Sequence, residues 1–411
     1  MDVLTILISG VLEISLKVQL ILVILFYTNL TYNESMSNKL TLVIDGNWLL
    51  MSRYFMSRES FRKGQPESVL LQASEGLADT MAQSISVLMR QFQDAITNVI
   101  LVSDNHSWRK ELSRPSSISS EAYKGTRSQD DEYDWSYVFK SVSILAERME
   151  KLGITTCNAY GVEGDDWCWW WSRRLNAEGT NVLLWTSDED VKQLVQQDEE
   201  TGAFTAWYEK SKGLVLNSCM KESDQEDPEN ELDAFMMPIK ASNEVVDKLS
   251  RIVKITYINP SNIINKKILI GDASDNILPV FTYIKGTKIY KATQRDWEKI
   301  IDFDTPAYGQ RGWTTGLKDM YTEVFNVKKK LLGNEFTSYD DFKEHILYNR
   351  KLVWLDESQI PENVKGQMIV AEYKETPAET IHDIKFNWRT IANKEQENSI
   401  VELFEGEPNF F

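Results

Sequence analysis

Between Ala159 and Trp171 the sequence reads AYGVEGDDWCWWW: three carboxylates within four residues, Glu163, Asp165 and Asp166, then four tryptophans within five. Crowded carboxylates repel one another and resist ionisation unless a cation or strong donors offset them. A divalent metal site is one solution. A helix entry is another, because acidic residues in a first turn meet the positive end of the helix dipole and Asp caps free backbone N–H groups. On this stretch alone, capping is the stronger explanation. At about 100° per residue, Trp167, Trp170 and Trp171 share one arc of the following helix, the pattern of a packed face. Trp169 projects to the other side, as an exposed or partner-covered ring.

The elements that must position these residues change the balance. "KLTLVID" (Lys39 to Asp45) is a β-rich run ending in a carboxylate, and "NVILVSD" (Asn98 to Asp104) repeats the formula. It returns in Ile154 to Asp166 and in "NVLLWTSDED" (Asn181 to Asp190). Helix-length segments lie between, which predicts an α/β fold with a mainly parallel sheet. The acids then gather at the carboxyl ends of strands, where open α/β sheets bind ligands. One acid after a strand is ordinarily a cap or turn residue. Four such ends in succession are not explained that way, and so many hard oxygen ligands suit Mg²⁺ or Mn²⁺. A further pair, Asp272 and Asp275 in "LIGDASDNILPV", shares a face at i, i+3 of a helix start.

Composition excludes several alternatives. A chain of 411 residues, 42% apolar and 26% charged, buries a sizeable core and has room for two domains. With 45 basic and 62 acidic residues its formal charge is −17, unlike a general nucleic-acid coat. Cys157, Cys168 and Cys219 form no C-x-x-C pair, which fits a reducing, cytoplasmic setting rather than a disulfide framework. His106, His345 and His382 have no metal-ligand spacing and read as surface or satisfied polar residues. The apolar run around "VQLILVILFY" (Val18 to Tyr27) is signal-sized, but Glu13 and Lys17 interrupt the region and no basic segment precedes it. Met36, opening "MSNKLTLVIDGNWLL", reads as the functional start, leaving residues 1–35 as an extension. The run "KESDQEDPENELD" (Lys221 to Asp233) reads as a solvated loop.

In order, Asp45-Gly-Asn-Trp, Ser103-Asp-Asn, Tyr123-Lys-Gly-Thr-Arg, Glu163-Gly-Asp-Asp, Ser187-Asp-Glu-Asp and Gly271-Asp-Ala-Ser-Asp-Asn resemble the motifs of the flap-endonuclease family of 5′ nucleases, nearest in pattern to its bacteriophage ribonuclease H branch. The resemblance covers about Met36 to Leu278, and Asn349 to Val364 is also similar to that branch's C-terminal region. It implies a PIN-like catalytic domain at 36–278 with an arch at 108–127, and a helical DNA-binding region and tail at 279–411. It implies two Mg²⁺ ions, with Mn²⁺ as a substitute. One would be held by Asp45, Asp104, Glu163 and Asp165, the other by Asp188, Asp190, Asp272 and Asp275, with Asp166 standing behind them. Arg109 and Lys124 join the catalytic set.

Within the arch, Trp108, Arg109, Lys110, Arg114, Lys124 and Arg127 are expected to meet nucleic acid, and Tyr123 to stack on a terminal base; without the resemblance this is a solvated basic loop. The chain departs from the family in the serine-rich "RPSSISS" and after Asp275, where only Gly286 stands in place of a glycine-rich hairpin loop. Lys285, Lys288 and Lys291 there are either phosphate contacts or a plain helical surface. The resemblance implies a monomer acting on DNA and RNA/DNA duplexes and 5′ flaps, removing RNA primers during replication, with no membrane partner. A single-strand-binding protein or sliding clamp is the implied protein partner, the tail Ser399 to Phe411 being a docking peptide or a frayed end. The rival readings are a PIN-like single-strand ribonuclease, a non-catalytic DNA-binding scaffold and, if residues 1–35 are translated, a membrane-anchored nuclease.

Overall fold

The computed structural model describes residues 39–115, 123–125, 130–221, 244–280, 283–285, 288–290 and 339–392. Residues 1–35, Met36, Arg127, the acidic run after Lys221, Gly286, Lys291 and the tail from Ser399 lie outside the described residues.

The main sheet is built from β1 (Leu40–Asp45), β2 (Asn98–Val102), β3 (Thr155–Cys157), β4 (Asn181–Trp185), β5 (Gln196–Gln197), β6 (Phe204–Glu209), β7 (Gly213–Asn217) and β8 (Ile255–Ile258). Its order is β3-β2-β1-β4-β6-β7-β8, with β5 beside β6. All pairings are parallel except those of β6 with β5 and β7. This is the mainly parallel α/β sheet that the sequence predicts. From β1 the chain winds outward to β3, then crosses to the opposite edge of β1 at β4. The carboxyl ends of β1, β2 and β4 therefore flank a topological switch point, where the sheet leaves a crevice.

Alternation along the strands divides the core in two. Leu42, Ile44, Leu101 and Leu183 face a cluster shared with α1 (Gly46–Ser57), α2 (Glu67–Gln91) and α3 (Trp135–Lys151). Val43, Ile100, Val102, Val182 and Leu184 face another, filled by the tryptophans of α4 (Gly164–Ala177). Trp167 and Trp171 are enclosed as expected, and Trp170 is half-buried. Trp169, expected to project outward, is buried too. Leu355, Ile360, Val364 and Met368 return to the same cluster, whose extent helical periodicity alone does not reveal.

Beyond β7 come α5 (Glu244–Ser250), α6 (Pro260–Ile270), β9 (Tyr283–Lys285), β10 (Lys288–Tyr290), α7 (Tyr339–Val353), α8 (Glu362–Ile369) and α9 (Ala378–Phe386). The later region is helical, as expected. At Lys285 and Lys288, however, the chain forms an antiparallel ribbon rather than a helical surface, the two lysines standing opposite each other. Alternating Tyr and Ile on either side of Gly286 favour strand over helix. Helices α8 and α9 pack into the two cores of the sheet, Val364 and Met368 in one and Ile381 and Ile384 in the other. No helix among the described residues is long and apolar enough to cross a membrane.

Candidate active site

Strand β1 ends on Asp45, which caps α1 by accepting from the Trp48 backbone N at 3.0 Å. Its other oxygen accepts from Thr186 Oγ1 at 2.9 Å, just beyond β4. Asp104 follows β2; its backbone N donates to Asn47 Oδ1 at 3.1 Å, and its Oδ1 accepts from the Gly164 N at 2.5 Å. A Cβ on Gly164 would lie 3.0 Å from that oxygen, so glycine lets the start of α4 close on Asp104. Asp188 is oriented by Thr186 Oγ1, which accepts from its backbone N at 3.1 Å, while its Oδ1 accepts from the Asp190 N at 2.8 Å.

The quoted carboxylates divide their work. Asp166, fully enclosed, accepts from the Glu163 backbone N at 3.3 Å in a capping box, so capping accounts for part of the cluster. It also receives a bidentate pair from Arg109, Nη2 to Oδ1 at 2.7 Å and Nη1 to Oδ2 at 3.1 Å, and the Trp108 Nε1 at 3.0 Å. Arg109 Nη1 and Lys124 Nζ each donate to Glu163 at 2.6 Å. Burial by itself would raise Glu163; Arg109 and Lys124 overcome it and hold the carboxyl down to about 2.

This packing corrects three expectations about the arch. Arg109 is 2% exposed and Trp108 5%, so both are committed to Glu163 and Asp166 and neither is presented to nucleic acid. Tyr123 is enclosed, its hydroxyl donating to Asp275 Oδ2 at 3.3 Å, so its ring is not offered for stacking. Lys110 and Arg114 are exposed.

Asp45, Asp104, Glu163, Asp165 and Asp188 line one cleft of about 570 Å³, with Lys110 and Lys124 and an apolar wall of Trp48, Met51, Trp135 and Phe139. Burial, then the Asp104 charge, pushes Asp45 up to about 7. Asp104 opens onto solvent in the cleft, yet the protein around it and then Glu163 raise its carboxyl. Asp165 is held well above the carboxylate range by burial and then Asp188. Asp190 is raised to about 6 by burial and then Asp188. Lys267, at the end of α6, forms ion pairs with both Asp190 and Asp272. Asp275 is joined to the segment carrying Lys124, its carbonyl accepting from the Lys124 N at 2.9 Å. Asp188 thus interacts with Asp45 and Asp165, across the division into two ligand sets that the resemblance implies.

An all-oxygen donor set in which Asp45, Asp104 and Asp165 are raised by burial and by the charge of neighbouring carboxylates fits a hard divalent cation in its chemistry. As placed, no three His, Cys, Asp or Glu side chains among the described residues converge to hold an ion. Glu163 is turned onto Arg109 and Lys124, and Asp190 and Asp272 onto Lys267. Three residues that shape the site were not singled out from sequence: Asn47, Thr186 and Lys267. Asn47 stood inside the Asp45 motif and Thr186 beside the Asp188 motif; Lys267 carried only its position one helical turn before Asp272.

Residues 40–224 match the family model of the 5′-3′ exonuclease, N-terminal resolvase-like domain. Residues 40–224 are thus similar to a 5′-3′ exonuclease N-terminal domain. Six of the eight implied ligands, Asp45 to Asp190, fall within that exonuclease-type match, and Asp272 and Asp275 lie beyond it. Comparison with curated proteins returns no match. Among solved structures the chain is similar to the bacteriophage T5 D15 protein co-crystallised with metal ions, with 14% identity, a TM-score of 0.43, and 86% of this chain and 100% of that chain covered. It is similar also to a bacteriophage T5 D15 flap endonuclease variant in complex with DNA and metal ions, with 14% identity, a TM-score of 0.41, and 86% and 99% covered. The T5 5′-exonuclease with zinc bound gives 14% identity, a TM-score of 0.39, and 86% and 100% covered.

Proposed function

We propose that the chain is a divalent-metal-dependent 5′-to-3′ nuclease that works as exonuclease and flap endonuclease, removing RNA primers or flaps in phage-type DNA replication. The meeting of Asp45, Asp104, Glu163, Asp165 and Asp188 with Lys124, in one cleft at the ends of β1, β2 and β4, is the observation that carries this reading.

Asp45, Asp104, Glu163 and Asp165 would hold one cation, and Asp188, Asp190, Asp272 and Asp275 a second. Mg²⁺ or Mn²⁺ bound there would supply charge to offset the phosphodiester and an acidified water to attack it. The chain's own groups prepare the rest. Arg109 and Lys124 keep Glu163 ionised at neutral pH. The Lys124 ammonium stands in the cleft wall, beside the path of an anionic backbone, and Lys110 adds charge at the rim. Trp48, Met51 and Phe139 give the cleft an apolar surface for sugars and bases. Tyr123 and Asp275 tie the base of the arch to the loop carrying Asp272, so arch and acids are positioned together. No histidine is needed.

The test uses the full chain and a 5′-labelled duplex bearing an RNA primer or a DNA flap, in Mg²⁺ and in EDTA. Short 5′ products should form in Mg²⁺ alone. Asp165→Asn and Asp190→Asn should each lose more than about 100-fold in rate with unchanged circular dichroism. Full activity in either variant would overturn the assignment. Tight junction binding without cutting would favour a structure-specific binder, and preference for free single-stranded RNA over flaps a PIN-like ribonuclease.

A further inference from the structure

One exposed pair of rings beside the acids is not used by this chemistry. His106 and Tyr160 lie parallel, with planes 3° apart and centroids 5.1 Å apart, and Tyr160 is 62% exposed. They belong to the loops after β2 and β3. Asn105 N to Val162 O at 3.0 Å, Gly161 N to Asn105 O at 2.8 Å and Trp108 N to Gly161 O at 3.2 Å pin these loops together. His106 sits at φ +55°, a left-handed conformation that residues other than glycine seldom adopt. His is among the residues that enter this region more readily, and the local fold uses it to hold an imidazole at the surface, its Nε2 3.4 Å from Glu111 Oε1.

The position of His106 gives the pair a use. It lines the catalytic cleft, and it also lines a neighbouring groove of about 700 Å³ that shares Asn47 and Asp104 with that cleft. The groove presents amides and hydroxyls, Ser103, Asn105 and Asn158, together with Glu147 and Glu150; no lysine or arginine lines it among the described residues. The cations are on the cleft side, at Lys110 and Lys124. A strand whose phosphates follow the cations turns its uncharged bases toward the groove and His106. Every base has a π-face, so aromatic stacking there holds an unpaired nucleotide without regard to sequence.

We propose that His106, backed by Tyr160, is a stacking platform for one unpaired nucleobase of the strand at the cleft, a positioning role that rests on the nuclease reading above. The experiment uses the full chain, as wild type, Tyr160→Ser and Tyr160→Phe. The probe is a duplex with a single-stranded 5′ extension, carrying a fluorescent aminopurine base at one position at a time. Binding in EDTA should quench the fluorescence at one position in the wild type and in Tyr160→Phe, and much less in Tyr160→Ser. In Mg²⁺ the serine variant should show KM raised about fivefold to tenfold, with the loss falling on KM rather than kcat. The phenylalanine variant should restore it. Equal quenching and equal KM in the serine variant, beside a wild type that cleaves, would overturn the platform and leave the nuclease intact. A wild type that quenches at no position would also overturn it. Quenching that depends on the Tyr160 ring in a chain that never cleaves would support the platform and overturn the nuclease reading.

Discussion

Arg109 lays one guanidinium across two buried carboxylates, Glu163 and Asp166, which lie 54 and 57 residues further along the chain. Removing one member of a buried ion-pair set leaves the others as uncompensated charge and costs about 3–5 kcal/mol. Arg109→Met is therefore expected to lower the unfolding free energy by an amount in that range, moving the urea midpoint down. Arg109→Lys should keep the fold but lose activity, because an ammonium cannot reproduce the planar two-pronged contact. A methionine variant as stable as wild type in urea would contradict this account. Sequence placed Arg109 in a basic arch and read it as a phosphate contact. Its residue type was legible and its burial was not, since its partners come from a distant helix start. The strand-end acids were easier, because each follows an apolar run that announces its strand.

At the scale of elements, α7 is locked to the loop that presents the last two acids. Asn349, 1% exposed, donates from Nδ2 to the Ile268 carbonyl at 2.9 Å and to the Leu278 carbonyl at 2.8 Å. Between those carbonyls the chain turns through Gly271, at φ +73°, and carries Asp272 and Asp275. A Cβ on Gly271 would lie 2.3 Å from the Ile277 carbonyl, so this turn admits only glycine. Asn349→Ala removes both bonds, at a cost of about 1–3 kcal/mol. Cleavage should fall by a larger factor than that stability loss implies, and amide exchange should quicken from Asp272 to Ile277. Unchanged exchange there would mean that α7 does not position the loop. The strands β1 to β4, and a mainly parallel sheet built from them, were legible from their apolar runs; β5 to β8 were not. The burial of Trp169 was not, because the cluster it joins includes residues as distant in sequence as Val364, and neither was the ribbon at Lys285 and Lys288, where strand-forming residues lie within a region of helical composition.

For the molecule as a whole, two buried groups set opposite limits on stability with pH. His345, on α7, is depressed to about 4 by burial. Its contribution is present above the ordinary 6.5 and is lost as pH falls toward about 4, by up to about 3 kcal/mol. Asp45 is raised from 3.8 to about 7, so its contribution is present below the ordinary value and is lost as pH rises through about 7. Asp165 and Asp190, also raised, act in the same sense as Asp45. In EDTA the melting temperature should pass through a maximum between these two limbs. A divalent cation bound by the acids favours their ionised forms, so Mg²⁺ should lift the alkaline limb and leave the acid limb in place. Asp45→Asn should flatten the alkaline limb and reduce the gain from Mg²⁺, whereas His345→Gln should flatten the acid limb and leave that gain intact. Melting curves of the three chains from about pH 4 to about pH 8.5, with and without Mg²⁺, separate the two terms. An alkaline limb that Mg²⁺ does not move would place the repulsion among the acids elsewhere than at a cation site, and would count against metal binding and fold stability sharing these carboxylates.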